Sequence, residues 1–128
     1  MNFLLDTHAF LWFITDNNQL SAHARQQICN KKNRILVSAV VAWEIAIKAK
    51  LGRLYFDGQP YEFFQKHLEV NNFESLSISI LHAAHIYSLP DIHKDPFDRL
   101  LIAQSYIEKI PLISKDSTIA RYDIATIW

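Results

Sequence analysis

With 128 residues, 50% of them hydrophobic, the chain is long enough to bury a core without disulfides or structural metals. Its one cysteine, Cys29, excludes an internal disulfide, and no Cys/His spacing suits structural zinc, so a reducing cytoplasm is the expected setting. Thirteen basic and thirteen acidic residues cancel, so the overall charge singles out no polyanionic partner. The N-terminal run MNFLLDTHAFLWF lacks a basic leader, carries Asp6 and His8, and is too short for a membrane span, so neither export nor membrane insertion is expected.

Short apolar runs alternate with longer helical segments, the pattern of a parallel sheet covered by helices. Asn2 to Leu5 is the first expected strand, followed by a helix from near His8. Ser21 caps a helix predicted to run to about Lys31. A second strand covers Arg34 to Val37, and Ser38 caps a helix from Ala39 to Leu51 that Gly52 ends. After a turn at Asp57 to Pro60, Tyr61 to Val70 is predicted helical, with Phe63, Phe64 and Leu68 inward. Leu76 to Ile78 is the expected third strand, and Ser79 to Tyr87 a short helix ended by Pro90. Asp95-Pro96 pairs a capping carboxylate with proline at the first helical position, and that helix runs to about Lys109. Leu112 to Ser114 and Ile124 to Ile127 complete the strands. The whole, residues 1 to 128, is expected to be one α/β domain: a three-layer α/β/α sandwich on a mostly parallel sheet of four to five strands.

Charge is uneven along the chain. From Arg25 to Arg53 there are seven basic residues against the single acid Glu44. This stretch reads either as a guide for a polyanion or as a solvated helix and loop.

Four carboxylates fall where such a fold gathers them: Asp6 after the first strand, Asp116 after the fourth, Glu44 within the helix after the second, and Asp98 in the first turn of the last long helix. Open parallel sheets bind ligands beyond the carboxyl ends of their strands, where strand order reverses. Glu44 lies amid the apolar stripe of Val40, Ile47 and Leu51, where a charge must be paired or bind metal. Its bland alternative is an ion pair with Lys48 one turn on. Asp98 shares a face with Leu101, Ile102 and Ser105, although an acid there also suits the helix dipole. Asp6 and Asp116 taken singly read equally as strand-end caps.

Together the four acids point to cations. At about 5 Å and an effective dielectric near 20, each ionised pair repels by about 3 kcal/mol. Oxygen-only ligation favours Mg²⁺ or Mn²⁺ over zinc. One or two such ions can activate water and support in-line attack on a phosphodiester.

Four segments then carry a family likeness: LLDTHAFLW (Leu4 to Trp12), SAVVAWEIAIKAKLGRL (Ser38 to Leu54), LPDIHKDPFDRLLIAQS (Leu89 to Ser105) and LISKD (Leu112 to Asp116). In these the chain resembles the PIN domain, and within it the VapC-type toxins of bacterial toxin–antitoxin pairs, essentially end to end. The resemblance implies that Asp6, Glu44 and Asp98, with Asp116 as the fourth and least uniform member, bind Mg²⁺ or Mn²⁺ and that the activity is RNA cleavage. It also implies homodimers and a cognate antitoxin that covers the groove. Ser114, where relatives often carry threonine, is a candidate positioner of water or metal. Asp95 is an outer ligand or simply an N-cap, and Arg99 a contact to the scissile phosphate or the partner of a neighbouring acid.

Other signals are discounted. His82 and His85 lack a third ligand at matching spacing. His8 and His93 sit near the expected cleft, where they orient substrate or are merely satisfied at the surface or in the core. Trp12, Trp43 and Trp128 read as packing or partner-contact residues. Two rivals remain open: a non-catalytic interaction module that uses its acids as caps, and a phosphoacceptor receiver, which needs a second acid beside Asp6 where Thr7-His8 stands.

Overall fold

The computed structural model describes residues 1–128. Strands β1 (Asn2–Leu5), β2 (Arg34–Ser38), β3 (Glu74–Leu76), β4 (Leu112–Ile113) and β5 (Thr126–Ile127) form one sheet in the order β3-β2-β1-β4-β5. Every adjacent pair is parallel. Phe3, Leu4 and Leu5 of β1 and Ile35, Leu36 and Val37 of β2 are all buried, as expected of central strands covered on both faces.

All α-helices but one begin at residues whose side chains satisfy free N–H groups. Asp6 caps α1 (Thr7–Ile14), Ser21 caps α2 (Ala22–Cys29), and Ser38 caps α3 (Ala39–Lys50) by accepting from Val40 N–H at 3.0 Å. Pro60 opens α4 (Pro60–Asn71). Ser79 and His82 form a capping box on α5 (Ile80–His85), which continues as a 3₁₀ turn at Ile86–Ser88. Asp95 caps α6 (Pro96–Glu108), whose end at Lys109 adopts the left-handed conformation.

Three expectations shift. The third strand is Glu74–Leu76 rather than Leu76 to Ile78, because Glu74, Ser75 and Leu76 pair with Leu36, Val37 and Ser38. Arg34 at the start of β2 grips Glu74 with two hydrogen bonds, of 2.6 and 3.0 Å, so charge rather than apolar continuity sets this edge. Helix α2 stops at Cys29, where Asn30 turns extended and its side chain accepts from Lys32 N–H. On α3 the buried face is Val40, Val41, Glu44 and Ile45, whereas Ile47 and Leu51 are 37% and 61% exposed. Glu44 is inward as expected, but the stripe around it is rotated because α3 packs against α1, α4 and α6 as well as β2.

The strand order reverses at β1. From β1 the chain steps through β2 to β3 at one edge, then crosses to β4 and continues to β5 at the other. Right-handed crossovers place the two sets of helices on opposite faces, giving the α/β/α layers. The reversal opens a crevice beyond the carboxyl ends of β1 and β4. No helix is long and apolar enough to cross a membrane.

Candidate functional site

Asp6, Glu44, Asp95, Asp98 and Asp116 line one cleft at that crevice, together with Lys48 and Lys115 among others. All four principal acids from the sequence thus line one cleft, from the ends of β1 and β4 and from α3 and α6, whereas the group of three ligand-type side chains within 4.8 Å of one another is His93, Asp98 and Asp116 and leaves out Asp6 and Glu44. Their electrostatics register the proximity. Burial pushes Asp98 up to about 7, and the carboxylates of Asp95, Asp6 and Glu44 add to the rise against an opposing pull from His93. Burial likewise raises Asp6, with Asp116 contributing, while the Ser114 hydroxyl and Ala9 N–H oppose. Asp116 goes the other way: it is partly buried, but hydrogen bonds from His93 and from Thr118 N–H outweigh that and hold it below the ordinary carboxylate value.

The partners of each acid show what is already satisfied. Asp6 accepts from Ala9 N–H at 2.8 Å. Glu44, only 6% exposed, accepts from the Thr7 hydroxyl at 2.7 Å and pairs with Lys48 at 2.6 Å. The ion pair with Lys48 therefore exists, and it sits inside the cleft rather than on an exposed helix face. Asp95 accepts from Phe97 and Asp98 N–H at 2.8 and 3.1 Å, the full role of an N-cap. Ser114 is buried after β4 and accepts from Asp116 N–H at 3.1 Å, so it orders the turn that presents Asp116.

Arg99 follows the second of its two readings, as the partner of a neighbouring acid. Its guanidinium donates to the carbonyls of Pro90 (3.0 Å), His93 (3.2 Å) and Ile86 (3.3 Å), and its nearest acid is Asp91 at 3.7 Å. With its side chain 13% exposed and its donors spent on backbone, it staples the loop before α6 and is not free to meet a phosphate.

His93 is the residue that reading the sequence undervalued. Its Nε2 hydrogen-bonds Asp116 Oδ2 at 2.9 Å and lies 3.1 Å from Asp98 Oδ2. Ligand-type atoms of His93, Asp98 and Asp116 all fall within 4.8 Å of one another. A histidine two residues ahead of a capping Asp-Pro is carried back toward the first helical turn, and that spacing is the signal available in sequence. His82 is a different case: its Nδ1 accepts from Ser79 N–H at 3.0 Å and its Nε2 meets Glu108 at 3.2 Å, a structural cap outside the cleft.

Against known proteins, the model of the PIN domain matches residues 3–125. The chain belongs to the PIN domain family. This PIN domain also resembles solved structures in fold. A chain of VapBC2 from Rickettsia felis, bound to a DNA fragment from their promoter, aligns with a TM-score of 0.70 at 15% identity over 99% of this chain and 98% of that one. DNA-bound VapBC from Salmonella typhimurium gives 0.68 at 16%, over 99% and 97%. FitAcB from Neisseria gonorrhoeae gives 0.67 at 18%, over 98% and 96%. No curated protein matches the sequence.

Proposed function

We propose that residues 1–128 form a single-domain, divalent-metal-dependent endoribonuclease, the toxin of a toxin–antitoxin pair. The observation that carries this reading is the meeting of Asp6, Glu44, Asp98 and Asp116 in one cleft, with Asp98 raised to about 7. Burial and mutual repulsion penalise the ionised acids there, and a cation relieves both penalties. The donors are carboxylate oxygens, which suit Mg²⁺ or Mn²⁺. Asp6, Glu44 and Asp98 would hold the ion, with Asp116 as the fourth ligand. When bound, one or two such ions supply an activated water and charge neutralisation at a phosphodiester.

The chain's own residues prepare the site. Thr7 and Lys48 fix the Glu44 carboxylate from two sides. Ser114 sets the turn that brings Asp116 to the cleft mouth, and Asp95 anchors the start of α6 so that Asp98 faces in. Lys115 and Lys48 are the lysines lining an otherwise acidic cleft, and they offer attraction to the RNA backbone. The antitoxin, the homodimer and the cytoplasmic setting rest on the resemblance to VapC-type toxins; the solved structures of similar fold include DNA-bound VapBC.

A non-catalytic module also draws on an observation, because Asp6 and Asp95 both serve as helix caps. Cleavage separates the two readings. Purified protein is incubated with a panel of structured RNAs, with Mg²⁺ or Mn²⁺ and with chelator, beside Asp6→Asn and Asp98→Asn. The nuclease cleaves only with metal, and each variant loses more than about a hundredfold in rate. Equal cleavage by wild type and variants, or none by any, rejects the proposal.

A further inference from the structure

The loop ahead of α6 is held rigidly enough to assign the ring state of His93. The backbone N–H of His93 donates to the Tyr122 hydroxyl at 2.7 Å, and its carbonyl accepts from Arg99 at 3.2 Å. The Tyr122 hydroxyl also donates to Pro90 O at 2.9 Å and accepts from Ile92 N–H at 3.2 Å. On the ring, Asp95 N–H donates to Nδ1 at 3.1 Å. A nitrogen that accepts from an N–H carries no hydrogen itself, so the ring hydrogen sits on Nε2. That hydrogen points between the carboxylates, with Asp116 Oδ2 at 2.9 Å and Asp98 Oδ2 at 3.1 Å.

These distances alone would suit a metal triad of His93, Asp98 and Asp116. A ligating imidazole, however, donates from its remote nitrogen to a carbonyl or carboxylate, and in this ring the remote nitrogen accepts. We infer that His93 is a positioning residue and not a ligand: its Nε2–H bridges Asp98 and Asp116 and sets their spacing for a divalent cation, without occupying a coordination position. This rests on the nuclease reading of the cleft. Arg99 and Tyr122 act one step further out, by fixing the loop that aims the ring.

The test combines ¹⁵N-histidine NMR of the full chain, metal-free and saturated with Mg²⁺, with calorimetric Mn²⁺ titration of wild type, His93→Ala and His93→Gln. The ring should carry its hydrogen on Nε2 in both states. His93→Ala should bind Mn²⁺ about 10–100-fold more weakly, the range for lost outer-sphere partners. His93→Gln, whose amide can donate to the same oxygens, should recover most of that loss. A hydrogen on Nδ1 in the metal-free protein, or loss of the Nε2 hydrogen on adding Mg²⁺, overturns the assignment even if the variants fold poorly. Unaltered Mn²⁺ affinity in a folded His93→Ala also overturns it. No Mn²⁺ binding by the wild type overturns the nuclease reading and this inference together, whereas coordination by Nε2 overturns the inference alone.

Discussion

Asp98 shows how the site's chemistry is written into the stability of the metal-free protein. Its carboxyl titrates near about 7 when folded and near about 3.9 when unfolded, so between those values the folded state binds more protons. Stability must then fall as pH rises through that window. Taking the metal-free protein from about pH 8 to about pH 5.5 should stabilise it by up to about 2 kcal/mol, less any loss to partial exposure, as read by thermal or chemical unfolding. The raised Asp6 acts in the same direction, while the lowered Asp116 acts only at pH values below the ordinary carboxylate range. Saturating Mn²⁺ should flatten or reverse the trend, because a bound cation holds both acids ionised. A pH-independent melting temperature without metal would contradict the burial assigned to Asp98. At this scale the acids were readable because charge on an apolar helix face demands compensation. Thr7 and Lys115 were not, since a single position has no periodicity to betray where it points, and His93 showed only its nearness to the cleft. The backbone partners of Arg99 were invisible until the loop folds back over α6.

Helices α3 and α6 are tied together by a buried polar contact that sequence periodicity cannot show. Ser38 is 1% exposed, caps α3, and donates to Gln104 Oε1 of the wholly buried Gln104 in α6. The Gln104 amide in turn donates to Ser77 O at 3.2 Å. Ser38→Ala removes the cap and strands Gln104, so it should cost about 1–3 kcal/mol in denaturant unfolding while leaving the acids of the cleft in place. Tyr122→Phe should cost a similar amount, since Ile92 and His93 N–H both lose their acceptor. A loss below about 0.5 kcal/mol in either would show that water replaces the missing hydroxyl. Element types and most starts were legible because caps such as Ser21, Ser38, Ser79 and the Asp95-Pro96 pair have local causes. β3 was misplaced because its position depends on pairing with β2 and on Arg34, and neither leaves a local trace. The rotation of α3 depends likewise on helices distant in sequence.

Across the whole molecule, the basic stretch from Arg25 to Arg53 does not form one patch beside the cleft. Arg25 pairs with Asp16, Arg34 with Glu74 and Lys48 with Glu44. Lys31, Lys32 and Arg34 lie at or before the start of β2, the end of the sheet opposite the crevice. Lys115, by contrast, lines the cleft and stands over the Trp12 ring at 5.8 Å. Lys115→Ala should therefore raise the KM for RNA several-fold and flatten its salt dependence, while a Lys31→Ala, Lys32→Ala double variant leaves both unchanged. The reverse ranking, read from initial rates across a salt series, would place the RNA path on the other side of the molecule. Net charge by sequence window was a poor guide because adjacent residues separate to opposite poles, whereas the topological reversal at β1 predicted where distant acids meet.

Anomalous scattering from crystals soaked in Mn²⁺ tests the central claim most directly. A peak within coordination distance of Asp6, Glu44 and Asp98, absent in Asp98→Asn crystals, is the predicted result. A cleft without a peak at saturating Mn²⁺, or a peak confined to sites elsewhere on the surface, would contradict it.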